Sequence, residues 1–159
     1  MLSTTLGKFI MTFLISMVPI VELRGGLPYG ILQGLHLPAA ACAAILGNML
    51  PVPFILLFIE HVFSFLKKNF PKMNSFIRKL EKRAEEKQVI VDKYGALGLV
   101  LLVAIPLPGT GAWTGTLAAS ILDMDFKKSV RAIVSGVILA GIIMGFGTKI
   151  IMLIAGLFG

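Results

Sequence analysis

Two short segments rich in glycine and proline interrupt the apolar runs of this chain, one in each half. The first covers residues 22–30 (ELRGGLPYG) and the second covers residues 106–115 (PLPGTGAWTG). A pair of such interruptions at corresponding places in two hydrophobic halves is typical of the substrate site of a membrane transporter. These two segments therefore constrain the fold more strongly than any other feature.

The composition of the chain is that of an integral membrane protein. Hydrophobic residues make up 57% of its 159 residues and charged residues only 14%, whereas a soluble domain is about half apolar and about a quarter charged. We expect a single transmembrane domain over residues 1–159. The N-terminus has no charged region ahead of its apolar run, so we expect it to belong to the fold and not to a signal peptide.

Some of the apolar runs are too short to cross a membrane and others are long enough. Residues 9–21 and 95–105 fall short of the roughly 20 helical residues that a hydrocarbon core about 30 Å thick requires. Residues 38–60 and 133–158 are long enough to cross. We therefore predict two full spans, and we predict that the short runs form helices that turn back at the interruptions.

Prolines and one aspartate predict where the long helices begin and bend. Pro38 suits the first turn of a helix, and Pro51 and Pro53 should kink the span that follows it. Asp125 is a good N-cap for a last helix that begins at Phe126.

Most of the positive charge lies in two places. Twelve of the fifteen Lys and Arg residues fall within residues 67–93 and 127–131, a bias that marks the cytoplasmic segments of membrane proteins. This clustering argues against a nucleic-acid partner, despite the net charge of +7. Apolar residues also recur at helical spacing in residues 67–93, which predicts a cytoplasmic amphipathic helix. This helix either lies on the cytoplasmic leaflet or packs against its copy in a dimer. These apolar residues are Met73, Phe76, Ile77, Leu80, Ala84 and Val91.

The two halves share one order of elements: a short apolar run, an interruption, a second short apolar run and a long span. If both basic groups are cytoplasmic, the halves have opposite orientations in the membrane. We therefore predict an all-α inverted repeat with two opposed re-entrant helical hairpins, whose tips meet near the midplane. Repeat 1 covers about residues 1–62, the cytoplasmic helix about 67–93, and repeat 2 about 94–159.

Glu22 and Arg24 are the charged candidates for a substrate site. Inserting either charged side chain into a bilayer costs roughly 2.5–3.5 kcal/mol of free energy. Each side chain must therefore face a cavity, bind a partner or pair with the other charge. In a functional interpretation, Arg24 binds an anionic group and Glu22 binds a coupling proton or cation. In a structural interpretation, the two form a salt bridge that stabilises the hairpin. The sequence leaves both open.

The glycines, prolines and polar residues of the two segments complete the predicted site. We expect half-helix N-termini to offer unpaired N–H groups to an anion, and we expect the proline-rich break to offer free carbonyl groups. Trp113 suits either a cavity wall or an interfacial anchor. The full set of candidates beside the two charges is Gly25, Gly26, Pro28, Pro106, Pro108, Gly109, Thr110, Gly111 and Trp113. For Gly34, Gly141 and Gly145 we expect close helix packing instead.

The remaining motifs exclude other classes of protein. No nucleophile motif or phosphate-binding loop is present, so we expect neither catalysis nor a cofactor. Cys42 is the single cysteine, which excludes an internal disulfide and a cysteine metal site. We expect Cys42 to pack within its apolar helix.

Residues 21–30 and 106–115 resemble the two signature segments of the small multi-drug export protein family of prokaryotes. The resemblance covers nearly the whole chain, including the charged middle helix, and it implies an inner-membrane transporter with Glu22 and Arg24 at its centre. The layout is more distantly similar to the DedA (VTT-domain) superfamily. That likeness implies two opposed re-entrant hairpins and, for some members, translocation of polyprenyl-phosphate lipids.

These inferences together predict a small transporter that works by alternating access. We expect it to couple an ion, with the proton favoured, to translocation of a small or amphiphilic anionic substrate. A flippase for a polyprenyl-phosphate lipid is the first alternative, and a membrane scaffold without transport is the second. Because so small a protein must shield its hairpins from lipid, we also expect a homodimer.

Overall fold

The structure, a computed structural model, describes residues 4–107 and 110–158. Throughout this part of the chain the secondary structure is helical, and it contains no strand. The elements are α1 (Thr5–Met17), α2 (Glu22–Leu32), α3 (Leu37–Met49), α4 (Pro51–Asn69), a 3-10 turn (Pro71–Met73), α5 (Asn74–Ala104), α6 (Ala112–Ile121) and α7 (Phe126–Phe158). The predicted all-α class is therefore confirmed.

Within the residues that the structure describes, two helical segments are long and apolar enough to cross a membrane. They are Leu37–Ile59, with a mean hydropathy of 2.2, and Phe126–Leu157, with a mean hydropathy of 2.3. Both correspond to the predicted spans. The first is interrupted at Leu50, the residue before Pro51, where α3 gives way to α4. Pro51 has no N–H to donate to the carbonyl of Gly47, which explains the interruption.

The predicted starts of the two spans are confirmed. Pro38 lies in the first turn of α3. At the start of α7, the backbone N–H of Lys128 donates to Oδ1 of Asp125 at 3.0 Å. This bond satisfies one of the amides that a helix N-terminus leaves without an intrahelical partner.

The charged helix begins later than predicted. Residues 67–69 complete α4, and the main charged helix starts at Asn74 after the 3-10 turn. The predicted start at residue 67 is wrong because Pro71 cannot continue the hydrogen-bond ladder of α4. Gly95, with φ 57° and ψ −134°, separates charged residues 74–94 from apolar residues 96–104 within α5. The predicted apolar stripe includes Ile77 and Val91, which are buried, and Phe76, which is exposed. The side chains of Met73, Leu80 and Ala84 lie outside the described part.

The chain forms two compact units. Unit 1 contains α1, α2, α3 and the part of α7 from Val137 onward, and unit 2 contains α4, α5, α6 and α7 up to Gly136. The single membrane domain, the inverted repeat and the re-entrant course of the hairpins stay predictions.

Unit 1 is held together by close contacts of small residues. A Cβ on Gly26 would overlap Oγ of Ser16 in α1, and a Cβ on Gly47 would overlap the carbonyl oxygen of Phe13. A Cβ on Gly30 would lie 2.8 Å from Oγ1 of Thr12 and 3.1 Å from Cβ of Ala40. Small residues at these positions let α1, α2 and α3 approach closely, as membrane helices commonly do.

Glycines elsewhere in unit 1 have two different roles. Gly141 and Gly145 contact Ile45 and Leu37, so the predicted packing role is confirmed. For Gly34 that prediction is wrong. Gly34 follows α2 with a φ of 85°, and the Leu35 N–H donates to the Gly30 carbonyl at 3.0 Å. This geometry is a Schellman C-cap, which favours glycine.

The predicted packing role of Cys42 is also wrong, because the residue is exposed on α3. The buried face of α3 carries Ala40, Ala43, Ala44, Gly47 and Asn48 instead. Cys42 lies off this stripe because it is two residues from Ala40 and Ala44, which is about half a helical turn.

Unit 2 is organised around α6. Most of this helix is buried, including the run from Thr114 to Ala119. It packs against α4 and α5, and a Cβ on Gly115 would lie 2.6 Å from Cγ2 of Val103. The α6 helix ends like α2, with Asp123 at a φ of 49° and the Met124 N–H bonded to the Ala119 carbonyl at 3.0 Å.

Candidate functional site

The first turn between helices lies before the glycine-rich segment and not within it. Helix α1 ends at Met17, and Val18 has φ −69° and ψ 128°. An extended conformation is what the residue before a proline favours, so Pro19 stops the helix. Residues 22–30 then form the first turns of α2. The predicted break at these residues is wrong: the glycines adopt helical geometry, and Pro28 only removes the bond to the Arg24 carbonyl.

Glu22 and Arg24 lie together at the start of α2. Glu22 is 4% exposed and begins the helix with a φ of 52°, while Arg24 is half-buried. The charge of Glu22 acts electrostatically on the Arg24 guanidinium. A buried carboxylate and a half-buried guanidinium therefore interact in the first turn of one helix. This arrangement fits both the functional and the structural interpretation of the pair.

Some N-terminal amides of α2 donate hydrogen bonds to carbonyl groups of the turn that precedes the helix. The N–H of Glu22 donates to the carbonyl of Val18 at 3.0 Å, and the N–H of Gly25 donates to the carbonyl of Val21 at 3.0 Å. The prediction of unpaired amides is therefore wrong at Gly25, because its bond to the N-cap residue Val21 is the first hydrogen bond of the helix. Gly26 contacts α1 through Ser16, and Pro28 is half-buried.

The second break, between α5 and α6, is closed by a threonine. The hydroxyl of Thr110 donates to the carbonyl oxygens of Ile105 at 2.9 Å and Leu107 at 2.8 Å. The N–H of Leu107 also bonds to the Ile105 carbonyl across Pro106, at 2.8 Å. The prediction of free carbonyl groups is therefore wrong at Ile105 and Leu107, since the loop uses them internally.

The other candidates of the second segment surround this loop. Gly111 is buried and precedes α6 with a φ of 137°, a conformation that favours glycine. Trp113 lies half-buried in the first turn of α6, and Pro106 is exposed. Pro108 and Gly109 lie outside the described residues. The role of Trp113 as a cavity wall or an anchor stays a prediction.

The two groups of candidates belong to different units. Glu22, Arg24 and the glycines of α2 lie in unit 1, whereas the loop residues from Pro106 to Trp113 lie in unit 2. The structure thus brings the candidates together as two local groups. Their predicted meeting at the membrane midplane stays a prediction.

Comparison with known families identifies the chain. Residues 22–143 match the family model described as "Putative small multi-drug export protein". The chain belongs to this family. The match begins at Glu22 and includes both interrupted segments, so the resemblance predicted from them is confirmed. No curated protein and no solved structure matches the chain. The more distant likeness to the DedA superfamily stays a prediction.

This family member carries buried polar residues that the sequence interpretation did not assign to a site. Thr12 and Ser16 in α1 are fully buried, and Asn48 in α3 is 3% exposed. Oδ1 of Asn48 has no hydrogen-bond partner. A signal was present in the sequence, since hydroxyl residues four apart in an apolar helix lie on one face. Only the packing of the three helices shows that this face is interior.

Unit 2 contains a cavity of about 440 Å³, which the sequence did not predict. Its charged wall includes the ion pair between Lys67 Nζ and Glu81 Oε1 at 2.8 Å. The lining combines apolar with polar side chains, namely Ile59, Ser64, Lys67, Glu81, Glu85, Leu117, Ser120 and Ile121. These residues come from α4, α5 and α6, so no contiguous motif marks the cavity. Its size lies within the range of small-molecule sites, about 300–1,000 Å³.

Proposed function

We propose that this protein is an ion-coupled exporter in which Glu22 and Arg24 form the charged part of the transport site. The observation that carries the proposal is the burial of Glu22 beside Arg24 at the start of α2. Charged groups in membrane-embedded helices are costly, and they commonly mark substrate or ion pathways. Membership of an export family and the two apolar spans support the same function.

The two charges suggest how coupling works. While Glu22 is ionised, its charge stabilises the Arg24 guanidinium. When a proton or another cation neutralises Glu22, Arg24 is left to pair with an anionic group of the substrate, which its planar fork fits well. Binding of the cation and binding of the anion then favour each other, because linkage between two sites is reciprocal.

The cavity in unit 2 supports an amphiphilic substrate. Its apolar residues suit a hydrophobic body, while Ser64, Ser120 and the Lys67–Glu81 pair suit a polar end. In the membrane arrangement that we propose, two re-entrant hairpins enter from opposite sides and residues 67–93 lie at the cytoplasmic surface. A homodimer would shield the hairpins from lipid.

Dye efflux from proteoliposomes tests the proposal. The vesicles are loaded with the anion carboxyfluorescein or the cation ethidium, and either a pH gradient or a sodium gradient is imposed. We expect gradient-driven efflux of carboxyfluorescein by the native chain. Arg24→Ala should abolish this efflux, Arg24→Lys should retain part of it, and Glu22→Gln should make it independent of the gradient. Glu86→Gln and Arg78→Ala are matched controls, because both residues are exposed on α5.

Each alternative gives a different result in this assay. Efflux of ethidium alone would contradict an anionic substrate. Movement of a fluorescent prenyl phosphate between leaflets without dye efflux would favour the flippase. If both variants of the pair transport normally, the assignment of the pair to a transport site fails. If both unfold in detergent, the pair is a structural salt bridge.

A further inference from the structure

Helices α2 and α3 pack antiparallel in a register that two contacts fix. A Cβ on Gly30 would lie 3.1 Å from Cβ of Ala40. Nearer the other end of the pair, the side chains of Leu23 and Ile45 both approach Gly141 of α7, with atoms 3.6 Å and 3.3 Å from the position of its Cβ. The two residue numbers add up to 70 for Gly30 and Ala40 and to 68 for Leu23 and Ile45. A nearly constant sum is expected for residues that face each other on two antiparallel helices. These approaches and the contacts between α2 and α3 support an antiparallel pairing of the two helices.

This register places Glu22 and Asn48 at one level. Glu22 precedes Gly30 by eight residues and Asn48 follows Ala40 by eight residues, so both lie about 12 Å along their helices from the Gly30–Ala40 contact. On each helix the residue midway between these positions is also small. It is Gly26 on α2, between Glu22 and Gly30, and Ala44 on α3, between Ala40 and Asn48. Glu22 and Asn48 are 4% and 3% exposed. The small residues Gly26, Gly30, Ala40 and Ala44 thus form a row between α2 and α3, which we call the small-residue seam. Glu22 and Asn48 lie at one end of this seam, in the interior of unit 1.

The amide oxygen of Asn48 is the unexplained group in this interior. It is buried and has no hydrogen-bond partner. Nearly all buried polar atoms in proteins are hydrogen-bonded, and an exception calls for a ligand, a water or a functional role. An oxygen of this kind can only accept a hydrogen bond or coordinate a cation.

A hydroxyl one turn away presents the same chemistry. Ser16 is fully buried and contacts Gly26, one helical turn from Glu22. Its hydroxyl donates its proton to the Thr12 carbonyl at 2.8 Å. With that proton committed, the oxygen beside Gly26 can act only as an acceptor. Three helices therefore contribute one acceptor group each: Ser16 from α1, Glu22 from α2 and Asn48 from α3.

We infer that Ser16, Glu22 and Asn48 bind a sodium ion in the interior of unit 1. Hard cations take oxygen ligands, including carboxylates and the side-chain carbonyl of asparagine. A single carboxylate matches one positive charge, whereas the described residues contain no group of three or more His, Cys, Asp or Glu residues of the kind that hold multivalent metals. A proton on Glu22 would leave the buried amide oxygen of Asn48 without a partner, whereas a cation can bind both oxygens.

The inference deepens the proposed function, because it names sodium as the cation that neutralises Glu22. Sodium bound beside Glu22 would release Arg24 for the substrate anion. The site itself is independent of transport, since it requires only the packing of α1, α2 and α3.

Thermal unfolding of the purified full-length chain in detergent tests the site. Tm is measured in sodium, potassium and choline chloride at equal ionic strength, at two pH values. Sodium at about ten times its dissociation constant should raise Tm by about 3–6 °C, and potassium and choline should not. Asn48→Leu, which has a similar volume, should lose this shift. It should be no less stable than the native chain in choline, because it removes a buried unpaired oxygen. Gln33→Leu, an exposed amide at the end of α2, is the matched control and should keep the shift.

Several results would overturn the site. The native chain could show equal Tm values in the three salts, a test that needs no variant to fold. The sodium shift could persist in Asn48→Leu and in Ser16→Ala. A Tm that follows pH and ignores sodium would indicate a proton on Glu22 instead. If dye export depends on Glu22 and Arg24 while sodium has no effect, the sodium site fails and the proposed function stands. If sodium stabilises the chain but no dye moves, the site stands and the proposed function fails.

Discussion

The two interruptions of the apolar chain look alike in sequence but are built differently. Between α1 and α2, Pro19 makes the turn, and the glycine-rich segment lies within the helix that follows. Between α5 and α6, the turn includes Thr110 and Gly111 themselves. The first segment carries the charges Glu22 and Arg24, whereas residues 106–115 contain no charged residue.

This difference suggests that the first segment supplies the charged groups of the site and that the second segment has a structural role. Glycines of α2 allow close packing of helices around a charged group, while Gly111 and Thr110 fix the backbone of a loop. Substitutions in the first segment should therefore act on transport through the charges and on stability through packing. Those in the second should act mainly on stability.

The largest contrast is expected between Glu22→Gln and Thr110→Val in gradient-driven efflux of carboxyfluorescein. Loss of the carboxylate should lower the dependence of efflux on the gradient by about 10- to 100-fold, which is the size of a typical coupling between two sites. Thr110→Val should leave the rate within about twofold after correction for the amount of folded protein, because the Thr110 hydroxyl bonds to carbonyl oxygens of its own loop. Equal losses in both variants would remove the distinction between the two segments.

The parts of the fold that follow from local chemistry were predictable from the sequence. Run length predicted the two spans, and Asp125 predicted the start of α7, because a cap depends on neighbouring residues only. The position of the first turn was not predictable in the same way. Gly25 and Gly26 weaken an isolated helix, but here the contact of Gly26 with Ser16 offsets that cost by letting two helices approach.

The candidate site shows the same limit. Glu22 and Arg24 stood out because charge is rare in an apolar run, and the structure brings them together as expected. Asn48 and Ser16 did not stand out, since their significance depends on the register of α2 against α3 and on contact with α1. The cavity of unit 2 is likewise formed by residues more than fifty positions apart, from Ile59 to Ile121.

Gly26→Ala tests whether the first segment is a packing surface. A methyl group there would overlap Oγ of Ser16 and lie 3.1 Å from the Thr12 carbonyl oxygen. Since a backbone carbonyl cannot move aside easily, we expect a loss of about 3 kcal/mol, near the top of the usual range for overpacking. Unfolding in detergent measures the loss. Gly147→Ala is the control, because nothing lies within 4 Å of its Cβ position; equal stability of the two variants would contradict close packing at Gly26.

Gly111→Ala tests whether the second segment depends on backbone conformation. With φ at 137° and ψ at −171°, this position lies in a region that is essentially restricted to glycine, and a side chain there should cost about 2 kcal/mol. The same unfolding measurement applies. Gly156→Ala, in α7 with open space around its Cβ position, should show no loss. If Gly111→Ala is as stable as this control, the conformation of the loop is not what glycine is needed for.

The smallest effect is expected from Thr110→Val, which keeps the shape of the side chain and removes its hydroxyl. The carbonyl groups of Ile105 and Leu107 would lose the Thr110 hydroxyl but keep backbone donors, namely the N–H groups of Leu107 and Thr110. We therefore expect a loss of only about 1 kcal/mol, the usual net value of one hydrogen bond. Thr110→Ser should restore stability, since serine can make the same bonds. Ser135→Ala is the matched control: its hydroxyl also bonds a backbone carbonyl, that of Arg131 at 2.9 Å, but at an exposed position of α7. A larger loss at Ser135 than at Thr110 would show that the buried hydroxyl does not stabilise the second break.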